Sequence, residues 1–200
     1  MTQIMNDREQ TNLKKRRLML SLSLAATGCT FLSARTFAQA VPPRGLDVPY
    51  EPTPQHVVEK MLELAQVKQN DVLYDLGCGD GRIVITAARK YGVRAVGIDL
   101  DPQRIAEAKA NAAKAGVEDK VTFKTGDLFR SEFSDATVVT LFLWPQVNRK
   151  LRPLLWEQLP IGARVVSYIW DMSNIWPADR TVSVNGKNIY YWTITEKQKK

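Results

Sequence analysis

Three glycines at alternate positions, Gly77, Gly79 and Gly81, lie in the part of this sequence best suited to holding a small ligand. The apolar residues 72–74 before them predict a buried strand, and the alanine-rich residues 83–91 after them predict a helix. A strand, a glycine turn and a helix in this order open a nucleotide-binding βαβ unit. Glycine suits such a turn because a backbone without Cβ atoms can pass close under a ligand.

The spacing of these glycines argues against a dinucleotide. A dinucleotide-binding turn would place its third glycine at position 82, where this chain has Arg82. In addition, Asp75 ends the preceding strand, where it would repel a passing pyrophosphate but attract an ammonium group. We therefore expect a ligand that carries a positive charge at this end of the strand.

Two further acids follow the next two predicted strands. Asp99, in the apolar run at 95–100, suits the two hydroxyls of a ribose. Asp127, in the run Gly126-Asp127-Leu128, suits an adenine amino group and has an apolar neighbour for the ring face. An ammonium, a ribose and an adenine in this order describe S-adenosylmethionine.

The cofactor prediction includes the small or apolar neighbours of these acids. Cys78 is expected to be a small filler beside the cofactor, and Asp80 and Arg82 are expected to hold the loop to its neighbours. From these three stretches we assign to the cofactor Asp75, Gly77, Cys78, Gly79, Gly81, Asp99, Leu100, Asp127 and Leu128.

The stretches DLGCGDGR, GIDLD and GDLF resemble the first three motifs of the class I S-adenosylmethionine-dependent methyltransferases. From about residue 49 to residue 195 the chain resembles a bacterial group of small methyltransferases. It is similar, more distantly, to mitochondrial protein-lysine methyltransferases with a GDGRIVI-type loop. The resemblance implies an α/β fold, a doubly wound Rossmann-like sheet of seven strands. Helices lie on both faces of this sheet, and its C-terminal hairpin is antiparallel.

The segment YEPTP at residues 50–54 resembles the Y-V-P-T-P segment of that family, which lies against the cofactor. The resemblance therefore adds Tyr50 and Thr53 to the cofactor residues. Glu51 departs from the pattern, so its contact is not implied. Thr53 and Pro54 also predict the start of a helix, with a capping residue followed by proline in the first turn.

The resemblance implies methyl transfer to an amine, with a protein lysine as the first acceptor and a small molecule as the alternative. An exported protein that binds the cofactor without catalysis is a further alternative, because S-adenosylmethionine is made in the cytoplasm. Aminopropyl transfer on the same fold would need extra acids after the fourth strand, and this chain lacks them.

The loop after the fourth strand is expected to hold the acceptor, since methyl transfer mainly requires alignment of donor and nucleophile. Many amino-group methyltransferases place Asn or Asp there, followed by Pro-Pro and an aromatic residue; this chain has WPQVN at 144–148. The missing acid or amide argues against base-directed and glutamine-directed enzymes. We predict that Trp144 faces a cation and that Gln146 or Asn148 orients the acceptor. A core position for Trp144 is the alternative, and Asp171 is a weaker candidate for accepting a proton.

The remaining pattern predicts alternating strands and helices in one domain. The apolar run ATVVTLFLW at 136–144 predicts a central strand buried on both faces. The pair Asn185-Gly186 predicts a tight hairpin at the edge of the sheet. The predicted organisation is a leader at 1–40, a coil at 41–52, the folded domain at 53–196 and a basic tail at 197–200.

Residues 1–40 predict a targeting segment. The basic run KKRR at 14–17 precedes an apolar run of 15 residues at 18–32, and an A-Q-A cleavage pattern lies directly before Val41. The apolar run is shorter than the roughly 20 residues of a membrane span, so we predict no span in the mature chain. The paired arginines resemble a twin-arginine signal, which predicts export to the periplasm. A leader without function would leave the enzyme in the cytoplasm.

The charge of the chain does not require a nucleic-acid partner. The formal charge of +7 is concentrated in the leader, where six basic and two acidic residues lie, leaving 22 basic and 19 acidic residues elsewhere. Of the two cysteines, Cys29 would leave with the leader, so Cys78 alone provides neither a disulfide nor a metal site. We expect a monomer that binds no metal and acts on a protein or a small molecule.

Overall fold

The structure is a computed structural model, and it describes residues 50–200. The predicted leader at 1–40 and the predicted coil up to residue 49 lie outside the described residues. Within the part that the structure describes, every helix is too short or too polar to cross a membrane.

The centre of the fold is one mixed sheet of seven strands in the order β3-β2-β1-β4-β5-β7-β6. Strands β1 to β5 are parallel, whereas β7 runs antiparallel to both β5 and β6. The predicted α/β fold with a C-terminal antiparallel hairpin is therefore confirmed. The strands are β1 Val72–Leu76, β2 Arg94–Asp99, β3 Val121–Thr125, β4 Val138–Leu141, β5 Arg164–Tyr168, β6 Arg180–Val184 and β7 Lys187–Thr193.

Helices cover both faces of this sheet. Apolar residues of the first three helices form one core cluster with one face, while α4 packs into the cluster on the other face. Single turns of 3₁₀ helix lie at Leu128–Arg130 and Glu196–Lys199. The α-helices of the described residues are α1 Gln55–Leu64, α2 Arg82–Tyr91, α3 Pro102–Ala115 and α4 Pro145–Gln158.

The predicted cap of α1 is wrong by one residue. Pro54 occupies the capping position and no side chain caps the helix, while Thr53 is buried. By contrast, α3 begins as its sequence suggests: the Asp101 side chain accepts a hydrogen bond from the Gln103 N–H, and a proline occupies the first turn.

Strand β4 is shorter than the apolar run predicts. It pairs with β1 up to Leu76 opposite Leu141 and then loses this neighbour. The loss occurs because Gly77 and Cys78 donate to the carbonyl of Ile98, which turns the chain after β1 toward β2. The apolar residues 142–144 therefore leave the sheet and form a loop above its edge.

The predicted hairpin at the far edge is present between β6 and β7. Asn185 and Gly186 have φ angles of 50° and 75°. Positive values at both central residues are what a two-residue turn of type I′ requires, and Asn-Gly adopts them at low cost.

Candidate functional site

A crevice opens at the carboxyl ends of the parallel strands. It encloses about 960 Å³ of empty space, including the part that opens to solvent. The strand order reverses between β1 and β4, and ligands of open α/β sheets bind outside such a reversal. The crevice wall comprises residues 50–53, 75, 77–80, 82–83, 99–101, 104, 127–129, 142–143 and 147.

The glycine turn, residues 77–81, forms the floor of the crevice and has no room for larger residues. A Cβ atom on Gly79 would lie 2.5 Å from the ring of Tyr50, and one on Gly77 would lie 2.7 Å from the side chain of Leu143. Both glycines also have positive φ angles, of 51° and 84°. Gly81 is crowded from inside the fold and not from the crevice, because a Cβ there would meet Phe123 and Ala108. It starts α2 and does not line the crevice.

Asp75 is a buried carboxyl on this floor. Its side chain accepts a hydrogen bond of 2.7 Å from the Thr140 hydroxyl. Burial raises the pKa of Asp75 to about 8; the Thr140 hydrogen bond lowers it, and the charges of Asp99 and Asp80 raise it. A carboxyl in this environment gains from a nearby positive charge, because such a charge would offset its desolvation.

Asp99 is held firmly at the end of β2. Its Oδ2 accepts a hydrogen bond of 2.8 Å from the Gly79 N–H, and its Oδ1 accepts one of 2.9 Å from the Asp101 N–H. Each carboxylate oxygen has a second lone pair. Asp99 can therefore accept two further hydrogen bonds from ligand hydroxyls without moving.

Asp127 follows β3 and starts the short turn at Leu128–Arg130. Its Oδ1 accepts a hydrogen bond of 2.9 Å from the Phe129 N–H, and its side chain remains 42% exposed. Leu128 is buried beside it. Phe129 also lines the crevice, although the sequence analysis did not select it; its place in the GDLF stretch was the available indication.

Residues 50–53, called the strap below, cross the crevice above the glycine turn. The guanidinium of Arg104 lies 4.7 Å from the centroid of the Tyr50 ring. Arg82 ties the strap down, since its Nη1 donates a 2.8 Å hydrogen bond to the Thr53 carbonyl and its Nη2 pairs with Asp80 at 2.5 Å. Burial alone would raise the pKa of Asp80, but hydrogen bonds and the charge of Arg82 outweigh it, so this pKa is lowered. The expected structural role of Asp80 and Arg82 is therefore confirmed.

Cys78 lies on the glycine turn and points into the fold. A Cβ on Gly97 would come within 2.8 Å of its sulfur, so the thiol packs against β2. Burial, and then the charges of Asp75 and Asp99, raise the pKa of Cys78. The thiol stays protonated and serves as a small filler.

The three residues proposed to contact the acceptor do not line the crevice. Trp144 is 43% exposed, so it is not a core residue, and Gln146 is exposed at the start of α4. Asn148 is fully buried, and its Nδ2 donates 3.2 Å hydrogen bonds to the Ser167 hydroxyl and the Trp170 carbonyl. The prediction that Asn148 orients the acceptor is therefore wrong.

The residue at which α4 begins explains why Asn148 is buried. The helix begins at Pro145, which turns Asn148 to the same buried side as Leu151 and Leu155. Val147 faces the crevice instead. Asp171 is exposed and accepts a hydrogen bond from the Ser173 N–H outside the crevice.

The crevice has an apolar end that the sequence analysis missed. Phe142 and Leu143 follow β4 and line the wall together with Val147. The sequence analysis assigned the first two to the strand. Only their position beyond its carboxyl end could have indicated a binding role. Below, the part of the crevice lined by these three residues is called the acceptor end.

Comparisons with known proteins agree with this geometry. The family model described as the ANTKMT methyltransferase domain matches residues 75–179. A protein-lysine N-methyltransferase of Saccharolobus islandicus is 45% identical over 154 residues, covering 74% of this chain and 95% of that protein. The adenine nucleotide translocase lysine N-methyltransferase of Mus musculus is 36% identical over 166 residues, covering 78% of this chain and 71% of that protein.

Solved structures give the same fold with a ligand. An RNA methyltransferase from Salinibacter ruber in complex with S-adenosyl-L-homocysteine is 57% identical to this chain, with a TM-score of 0.72. The match covers 73% of this chain and 95% of that one. A methyltransferase from Geobacter sulfurreducens, also in complex with S-adenosyl-L-homocysteine, is 26% identical, with a TM-score of 0.53 and coverage of 62% and 51%.

Proposed function

The chain belongs to the ANTKMT methyltransferase domain family and is an S-adenosylmethionine-dependent methyltransferase, and we propose that it methylates the side-chain amine of lysine in a protein. The curated relatives from an archaeon and from mouse are both named for lysine methylation. The similar structure from Salinibacter ruber is instead named an RNA methyltransferase. The charge of the crevice supports lysine over RNA as the acceptor.

The residues of the crevice fit the cofactor. The absence of a side chain at Gly79 lets the Tyr50 ring pack against the turn, and the bare backbone of the glycine turn would let a ligand approach it closely. We assign Asp75 to the ammonium, Asp99 to the ribose hydroxyls and Asp127 to the adenine, with Leu128 beside the ring. When bound, S-adenosylmethionine supplies a methyl group on a positively charged sulfur.

The crevice wall has more acidic than basic residues, and the choice of acceptor rests on this excess of negative charge. Its wall contains two arginines, both already paired, and six acidic residues; burial raises the pKa of one of them, Asp75, to about 8, so this residue adds little charge at pH 7. Arg82 pairs with Asp80, and Arg104 pairs with Glu107 at 2.6 Å. An excess of carboxylates attracts a lysine ammonium and repels the phosphates of RNA, which need basic partners. The six acids are Glu51, Asp75, Asp80, Asp99, Asp101 and Asp127.

The acceptor end suits the chemistry of an amine. A lysine with an ordinary pKa of about 10.4 must lose a proton before its nitrogen can attack. The apolar side chains of Phe142, Leu143 and Val147 would exclude water there, and desolvation favours the neutral amine. These side chains would also align the amine with the methyl group, which is the main requirement of an in-line transfer.

Methyl transfer with labelled cofactor tests the proposal. The full chain is incubated with methyl-labelled S-adenosylmethionine and, separately, with bacterial protein extract, total bacterial RNA and the small-molecule fraction. We expect label in methyllysine after acid hydrolysis of the protein. The variant Asp99→Ala should lose this label, whereas Asp119→Ala, an exposed acid outside the crevice, should retain it. Label found only in RNA or only in small molecules would refute lysine as the acceptor.

A further inference from the structure

Glu51 departs from the family's Y-V-P-T-P pattern, and its charge acts on a different part of the crevice from the one that its neighbour Tyr50 covers. Tyr50 covers Gly79 and lies against Arg104, on the side of the glycine turn and α3. Glu51 also lines the crevice, but its charge acts on Tyr168 at the end of β5. The strap therefore supplies the crevice with an aromatic ring that covers the glycine turn and with a carboxylate whose charge acts on the end of β5.

The charge of Glu51 reaches an aromatic pair that adjoins the acceptor end. Tyr168 is buried, and its ring lies 4.9 Å from the ring of Phe142. Burial raises the pKa of Tyr168, and the negative charge of Glu51 raises it further. Glu51 and Phe142 both line the crevice, and the charge of Glu51 acts on Tyr168, whose ring packs against Phe142.

Glu51 also differs from the other acids of the crevice in having no partner among the residues that the structure describes. Among residues 50–200, it forms no salt bridge and accepts no hydrogen bond, and it is exposed. A carboxylate without a partner suits an ammonium because of its opposite charge, and aromatic rings that line the same crevice, such as Phe142, can also attract a cation. Each of the other acids accepts a hydrogen bond within the fold: Asp75, Asp80, Asp99, Asp101 and Asp127.

We propose that Glu51 receives the ammonium group of the acceptor lysine at the mouth of the crevice and thereby sets the preference of the enzyme for a cationic acceptor. This inference rests on the proposed lysine acceptor. Glu51 is a specificity residue in this account. It acts on capture of the acceptor, while alignment and desolvation belong to the apolar residues deeper in the crevice.

The test compares Glu51→Gln with wild type on a defined probe, an acetylated and amidated peptide with one lysine among glycines and serines. We expect the KM for this peptide to rise about fivefold, the upper range for an exposed charge pair, with kcat roughly unchanged. Glu51→Asp should retain most of the affinity because it keeps the charge. The matched control is Glu118→Gln, the same change at an exposed residue outside the crevice, which should leave the KM unchanged.

Binding of S-adenosyl-L-homocysteine, measured by calorimetry, provides a second readout. The affinity of Glu51→Gln for this ligand should equal that of wild type. A parallel loss of cofactor affinity would place Glu51 in the cofactor site and overturn the inference. Equal KM values for Glu51→Gln and Glu118→Gln would also overturn it. So would a wild-type enzyme that methylates protein in the extract but does not methylate the peptide. A wild type that methylates neither would instead refute the proposed function.

Discussion

Asp75 should couple cofactor binding to the release of a proton. Its pKa is raised to about 8 by burial, with Asp99 and Asp80 adding to the shift and the Thr140 hydrogen bond opposing it. A carboxyl with a pKa of about 8 is about nine-tenths protonated at pH 7. If the ligand ammonium lies beside it, the pKa falls and the bound state holds fewer protons than the free protein.

The sign and size of the effect follow from this difference. Because binding releases protons, affinity must rise with pH below 8. With a free-state pKa of about 8 and a bound-state pKa in the ordinary carboxyl range, affinity should rise about ninefold from pH 6 to pH 7. The α-amino group of the ligand, with a pKa of roughly 7.7–8.0, remains largely protonated in this window.

Calorimetry with S-adenosyl-L-homocysteine in two buffers of different ionisation enthalpy measures both quantities. Wild type should release about 0.9 proton at pH 7, whereas Asp75→Asn should release almost none and change affinity by less than about twofold between pH 6 and pH 7. Thr140→Val provides a matched control. It removes a hydrogen bond that lowers the pKa, so the rise in affinity should extend to higher pH. Equal proton release by wild type and Asp75→Asn would refute the assignment of Asp75 to the ammonium.

Three further predictions concern the cofactor side of the crevice, and one concerns the leader. Asp99→Ala should weaken binding of S-adenosylmethionine by about 1–3 kcal/mol, the loss expected when hydroxyls lose a charged acceptor; unchanged affinity in calorimetry would contradict this role. Gly79→Val should abolish binding while the protein still melts cooperatively, because its Cβ would meet an aromatic ring at 2.5 Å. Arg82→Ala should release the strap, because the Arg82 side chain joins the Thr53 carbonyl to Asp80; a protease should therefore cut near residue 50 faster than in wild type. Mature protein from the native host should begin at Val41, which intact-mass analysis can check against a full-length chain.

Most residues of the proposed cofactor site could be predicted from local sequence, although Gly81 does not line the crevice and Phe129 was missed. A strand, a turn of alternating glycines and a helix are local features, because they depend on backbone freedom and on the period of apolar residues. The acids Asp75, Asp99 and Asp127 could be placed at one edge because the carboxyl ends of parallel strands meet there. The Asn-Gly hairpin was predictable for the same local reason.

Only the tertiary structure decided the acceptor half. Asn148 is buried and Val147 lines the crevice because α4 starts at Pro145, and helix boundaries are poorly specified by sequence. The end of β4 depends on where β1 turns away from it, which is set by hydrogen bonds to β2. The contacts of the strap join residues 29 positions apart, as between Arg82 and Thr53, and no local pattern encodes them.

The same distinction holds for the electrostatics of the site. That Asp75 is acidic can be read from the sequence, but its pKa of about 8 arises from burial in the fold, which outweighs the lowering effect of a hydrogen bond from Thr140, 65 positions away. Glu51 was only a departure from a pattern until the fold made it part of the crevice wall that also contains Phe142. Residue type determines which charges are available, whereas packing between distant segments determines their solvation and their neighbours, and therefore what they can bind.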